Sequence, residues 1–197
     1  IISTGMASID DIDDLVGCLP YELLSKLILL KCTSNYPATA GNSNLLTIPH
    51  MQVKYNCQVG LSDHTMGNGT SIAAVALGAT VIEKHFTLDR SEEGVDSAFS
   101  IEPAELKLLV SEAKAAWHSL GSIHYGPTVE EMNSLVYRRS IYAKRDLKKG
   151  DILTKQNISV IRPGLGIKPK HYNQLIGEKI NCDIKMGTPL NWSLIDK

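Results

Sequence analysis

A repeated order of elements constrains this chain more than any other feature. An apolar run of strand length ends in polar residues and is followed by a stretch that suits a helix. Ile1-Ile2-Ser3-Thr4-Gly5-Met6 reads as the end of one buried strand. Leu27-Ile28-Leu29-Leu30-Lys31-Cys32 follows and runs into the polar loop Thr33-Ser34-Asn35-Tyr36-Pro37. Gln58-Val59-Gly60-Leu61 leads into Ser62-Asp63-His64-Thr65, and Thr80-Val81-Ile82 leads into Glu83-Lys84-His85-Phe86-Thr87. Helices are predicted over Asp10–Cys18, Asn44–Val53 and Thr70–Gly78, the first with acidic residues at its positive end and the last closing on a glycine. Buried strands that alternate with helices imply a parallel sheet, either open and doubly wound or closed as a (β/α) barrel. Neither GxGxxG nor a P-loop occurs, which favours the barrel. Both architectures place their chemistry at the C-terminal strand ends, where Thr4, Thr33-Ser34, Ser62–His64 and Glu83–His85 fall.

The pattern changes further along. Leu106, Leu109, Val110, Ala113, Trp117 and Leu120 recur at helical steps after Pro103, which suits a first turn, and Gly121 is expected to end that helix. Residues 122–134 carry Gly126 and Pro127 without periodicity and read as a linker between a first domain, 1–121, and a second, 135–197. In the second, Asp146-Leu147-Lys148-Lys149-Gly150-Asp151-Ile152-Leu153 recurs as Asp183-Ile184-Lys185-Met186-Gly187-Thr188-Pro189-Leu190. Its shared glycine is expected to supply a left-handed turn between short strands, giving a small pseudo-symmetric β-rich module. Between the copies, Pro163, Gly164 and Gly166 fix a loop that presents Arg162.

The net charge of -1 offers no basic footprint for nucleic acid or an anionic membrane surface. No apolar run approaches the roughly 20 residues of a membrane span. Cys18, Cys32, Cys57 and Cys182 form no CxxC pair, which fits reduced thiols in a cytoplasm and argues against structural zinc.

Because side chains alternate along a strand, Ser62 and His64 share one face, as do Glu83 and His85, while Asp63 and Lys84 point away. Two histidines can therefore converge from neighbouring strands. Imidazole is the commonest neutral metal ligand, and two of them leave positions open on a six-coordinate ion such as manganese. A third protein ligand is not evident, which disfavours a closed zinc site. The plainer reading of each histidine is a hydrogen-bonded structural residue. Glu83 is either an acceptor that fixes a histidine tautomer or a buried carboxylate paired with a cation. Asp96 is a ligand for polyol hydroxyls or a turn former, Tyr36 a site residue or loop packing, and Arg162 a functional or an ordinary surface arginine. His50, His118, His124 and His171 have no supporting context.

Taken together, Lys31-Cys32-Thr33-Ser34-Asn35-Tyr36-Pro37, Gly60-Leu61-Ser62-Asp63-His64-Thr65, Val75-Ala76-Leu77-Gly78-Ala79 and Ile82-Glu83-Lys84-His85-Phe86-Thr87 resemble the sialic acid synthase family, the nonulosonic acid synthases. Arg162-Pro163-Gly164 with Gly166 resembles the SAF, or type III antifreeze-like, domain these enzymes carry. Lys31–Ser34 and Gly94-Val95-Asp96-Ser97-Ala98-Phe99-Ser100 look closer to the pseudaminic acid branch than to the N-acetylneuraminate branch. The resemblance implies an α/β fold: the C-terminal half of a (β/α)8 TIM barrel followed by a SAF domain. It implies a truncated barrel whose first four strands, with further phosphate ligands, are absent, and a chain that is inactive alone.

The implied reaction condenses phosphoenolpyruvate with the open-chain aldehyde of an acetamido sugar. His64 and His85 would hold a divalent ion, manganese first and magnesium or cobalt next, and join Glu83 as the catalytic set. Ser34 and Ser62 match phosphoenolpyruvate contacts, although many sialic acid synthases carry Asn at the position of Ser34. Tyr36 and Asp96 match positions near the sugar, and Arg162 an arginine that one subunit extends into its partner's site, which implies a domain-swapped homodimer. A sugar-binding or dimerisation module is the non-enzymatic alternative. A generic metal-dependent aldolase is a third reading, but it would not predict the SAF repeat.

Overall fold

The computed structural model describes residues 1–92 and 94–196. They divide into two compact units, residues 1–122 and residue 123 onward.

In the first unit β1 (Ile2–Ser3), β2 (Ile28–Cys32), β3 (Gln58–Asp63) and β4 (Ile82–Lys84) form a parallel sheet in sequence order. Leu29 lies opposite Val59, Leu61 opposite Ile82, Ser62 opposite Glu83 and Asp63 opposite Lys84. This register divides the residues between two faces. Leu29, Val59 and Leu61 belong to the buried core with Ile12, Ile48, Met51 and Ala74 from the helices. Gly60, Ser62 and Glu83 lie on the other face. β1 is an edge strand paired only through Ile2 and Ser3, and Ile1 is 74% exposed rather than buried as the apolar run predicts.

The helices begin and end where their caps allow. α1 (Ile9–Gly17) opens on a capping box: Asp11 N–H donates to Ser8 Oγ, and Ser8 N–H donates to the Asp11 carboxylate at 2.7 Å. A one-turn helix, α2 (Tyr21–Leu24), follows that the apolar pattern does not announce. α3 (Thr47–Tyr55) starts later than expected because Asn44, with φ of 43°, is left-handed and cannot sit in a right-handed helix. α4 (Gly69–Ala76) precedes Gly78, whose φ of 98° turns the chain into β4. α5 (Pro103–Leu120) has Pro103 in its first turn and Gly121, at φ 50°, beyond its last. Of its apolar stripe only Leu109 is buried, while Trp117 is 63% exposed.

In the second unit β5 (Ser140–Ala143) pairs antiparallel with β6 (Ile158–Ile161). The sequence repeat appears as a reciprocal exchange. Lys148 Nζ and Lys149 N–H donate to Asp183 at 2.8 and 2.9 Å, and Lys185 Nζ and Met186 N–H donate to Asp146 at the same two distances. Leu147 and Ile184 bridge antiparallel between them. Gly150 and Gly187 have φ of 91° and 82°, the positive values the repeat predicts. Both lysines are mostly exposed, so these pairs set geometry and add little stability. The stabilising burial lies beneath, in Ile141, Leu147, Leu153, Ile158, Leu175, Ile180 and Leu190.

Candidate active site

His64 and His85 follow directly after β3 and β4, so the parallel register delivers them side by side. Their ring centroids are 5.1 Å apart at an interplanar angle of 65°. Tyr36, from the loop after β2, places its ring 4.3 Å from His64 and 5.8 Å from His85. Phe99 lies 5.1 Å from His85 and 5.9 Å from Tyr36, and Asp96 Oδ2 is 3.4 Å from His85 Nδ1. The loop bearing Asp96 and Phe99 is held by Ile101, whose N–H donates to His85 O at 2.8 Å.

The two histidines differ in environment. His64 is 6% exposed, and its Nδ1 lies 3.0 Å from the Thr33 carbonyl. A carbonyl only accepts, so Nδ1 carries a proton, and in the neutral ring the lone pair is on Nε2. Imidazole–metal bonds are about 2.0–2.1 Å, so rings 5.1 Å apart can share one ion. Among the described residues no group of three or more His, Cys, Asp or Glu is arranged to hold a metal. What the two rings offer a cation is thus an open pair of nitrogens.

Glu83 lies on the same face as Ser62, directly opposite it in the ladder. It is exposed, not buried, and its Oε1 accepts from Ser62 Oγ at 2.6 Å. The group at His64 Nδ1 is the Thr33 carbonyl and not Glu83. Ser34 lies two residues beyond β2, with its Oγ 3.7 Å from Cys32 Sγ. A Cβ at Gly5 would meet the Ser34 hydroxyl and the Cys32 thiol, so a side chain there would turn Ser34 to another rotamer. A cavity of about 940 Å³ opens there, lined by Thr4, Lys31, Thr33 and Ser34, and the histidine pair is not among its walls. Burial pushes the Lys31 ammonium below its ordinary value, opposed by the neighbouring Cys32. Arg162 belongs to the second unit and is exposed.

Three features were missed by sequence reasoning. Phe99 is in a single 3-10 turn, where no periodicity marks it. The Thr33 carbonyl is backbone, and side-chain motifs do not reveal it. The third had a signal: an acid precedes one histidine and a base the other. Asp63 and Lys84 form an ion pair at 3.0 Å, with side chains 1% and 4% exposed, on the face opposite the histidines. Burial raises the Asp63 carboxyl, but donors from Ser71, Thr65 and Lys84 outweigh it and leave the group below the usual carboxylate range.

Four parallel βα units with polar side chains gathered at the strand ends define a barrel-type α/β enzyme scaffold. Residues 1–125 match the model of the NeuB family, and residues 138–196 match that of the SAF domain. The chain belongs to the NeuB family, and its fold is the C-terminal half of a (β/α)8 barrel followed by a SAF domain. It is 40% identical to the pseudaminic acid synthase of Campylobacter jejuni serotype O:2 over 96% of this chain and 55% of that protein. Identity to the N,N'-diacetyllegionaminic acid synthase of Legionella pneumophila is 39%, over 100% and 56%. The crystal structure of the spore coat polysaccharide biosynthesis protein SpsE of Bacillus subtilis superposes with a TM-score of 0.57 at 30% identity, covering 100% of this chain and 61% of that one. The chain thus spans little more than half the length of the curated relatives it matches. Among the described residues no helix is long and apolar enough to cross a membrane.

Proposed function

We propose that this chain carries the histidine-bearing half of a pseudaminic acid synthase. The enzyme condenses phosphoenolpyruvate with an open-chain diacetamido-trideoxy-altrose to give a nine-carbon keto acid and phosphate. The observation that carries the reading is the convergence of His64 and His85 from adjacent strand ends, with Nε2 of His64 free and Tyr36 and Asp96 beside them. A divalent ion held by that pair, manganese first and magnesium or cobalt next, would stabilise charge developing on the aldehyde oxygen.

The protein's own groups do the rest. Ser34 and Ser62 hold phosphoenolpyruvate, while Tyr36 and Asp96 orient the sugar so that its aldehyde carbon meets the alkene carbon. A carbon–carbon bond forms there, water adds at the former enol carbon, and phosphate departs. Glu83, on the same face and hydrogen-bonded to Ser62, is assigned the proton of that water. Arg162 of a partner's SAF domain completes the sugar site in a domain-swapped homodimer. Four free thiols support a cytoplasmic setting.

Lys31–Ser34, Gly94–Ser100 and the 40% identity favour the altrose-derived sugar. The 39% identity to a legionaminic acid synthase makes that substrate the second reading. The test supplies phosphoenolpyruvate, manganese and a panel of acetamido hexoses to this chain joined to the missing barrel strands, with products identified by mass. The altrose derivative is expected to release phosphate fastest. Preference for the legionaminic precursor would select the second reading, and no phosphate from any sugar would end the synthase reading.

A further inference from the structure

On the side of the sheet away from the histidines, Asp63 and Lys84 occupy the positions immediately before His64 and His85, directly opposite each other in the β3–β4 ladder. Each oxygen of Asp63 is committed. Oδ1 accepts from Thr65 N–H at 2.8 Å and Thr65 Oγ at 2.7 Å, and Oδ2 accepts from Ser71 Oγ at 2.5 Å and Lys84 Nζ at 3.0 Å. Lys84 Nζ also donates to the Thr65 carbonyl at 2.6 Å. Residues on both sides of His64 are therefore tied to the residue before His85 and, through Ser71, to α4. Ala38 N–H, from the loop after β2, donates to His64 O at 2.9 Å and pins the same turn from the other side.

A bond network this short, closed and dry has few ways to relax. β4 is three residues long, so its ladder alone holds the His85 end weakly. We propose that the Asp63–Lys84 ion pair is a positioning device that fixes the separation and orientation of the His64 and His85 rings, an inference that for its metal consequence rests on the function proposed above. Neither residue touches the substrate, so both act through the backbone of the histidines. Removing one partner alone would strand a buried charge and confuse positioning with folding. The informative variant removes both charges at nearly constant volume, Asp63→Asn with Lys84→Met.

The experiment compares the full chain with this double variant by two readouts. The first is the ring-to-ring nuclear Overhauser effect between His64 and His85, with the imidazole nitrogen shifts that report the His64 tautomer, in the absence of metal. The second is manganese affinity by paramagnetic resonance. The double variant is expected to keep its circular dichroism, lose the ring-to-ring effect and bind manganese about 10–100-fold more weakly, the usual cost of disturbing a group that orients ligands. A folded variant that retains the ring contact and tautomer would overturn the proposal. If the double variant does not fold, Ser71→Ala, which removes one bond to Asp63 and leaves the charges paired, is read by the same ring contact; weakening supports the proposal and no change overturns it. Absence of manganese binding in the parent chain would count against the metal reading alone, because the metal-free ring contact still decides the positioning role.

Discussion

At the residue scale, a backbone carbonyl selects the tautomer of the neutral His64 ring: Thr33 O accepts a hydrogen bond from Nδ1–H and leaves the lone pair on Nε2. His64→Ala and His85→Ala are each expected to abolish manganese binding by calorimetry while circular dichroism stays unchanged, because neither ring belongs to the apolar core. Asp63 leads to a pH prediction. Its folded carboxyl lies below the unfolded value of about 3.9, so its contribution to stability is full above that value and is lost as pH falls toward the folded one. Urea midpoints should therefore drop below about pH 4, and the drop should be shallower in Asp63→Asn/Lys84→Met; an unchanged slope would assign the acid limb to other carboxylates. The orientations of Ser62, His64, Glu83 and His85 were legible in the sequence because strand alternation is strict. The partners of Glu83 and His64 were not, because they depend on the register between strands far apart in sequence.

At the scale of elements, close packing limits what β3 can carry. A Cβ at Gly60 would stand 2.7 Å from Leu30 Cδ2 and would press on the Val81 carbonyl. Gly60→Ala should therefore cost about 1–3 kcal/mol by urea unfolding, and an unchanged midpoint would show that β2 and β4 can part without loss. Strands and helices of the first unit were legible from apolar runs and their polar ends. The start of α3 was not, since the left-handed Asn44 leaves no mark that distinguishes it from a helix-starting Asn. The α5 stripe was legible as a helix and misleading as a core, because periodicity reports which face is apolar and not what covers it.

At the scale of the whole molecule, the two-part organisation was legible from the change of pattern near residue 122 and from the internal repeat, whose paired Asp and Lys exchange ligands in the second unit. The choice of acetamido sugar proposed above rests on resemblance alone, because sugar selection depends on a few polar contacts rather than on any periodic feature. The 197-residue chain alone is expected to release no phosphate, because Glu83 and the Tyr36 ring lie open to water that an active site must exclude. The domain-swapped arrangement predicts that Arg162→Ala in a completed barrel raises the sugar KM without changing the sedimentation coefficient. The role of the histidine pair is decided by phosphate release from phosphoenolpyruvate and the altrose-derived sugar in a full-length barrel, with His64→Ala and His85→Ala beside it. One phosphate is expected for each nine-carbon keto acid, with loss of both products in either variant. Equal turnover with either histidine removed would contradict it.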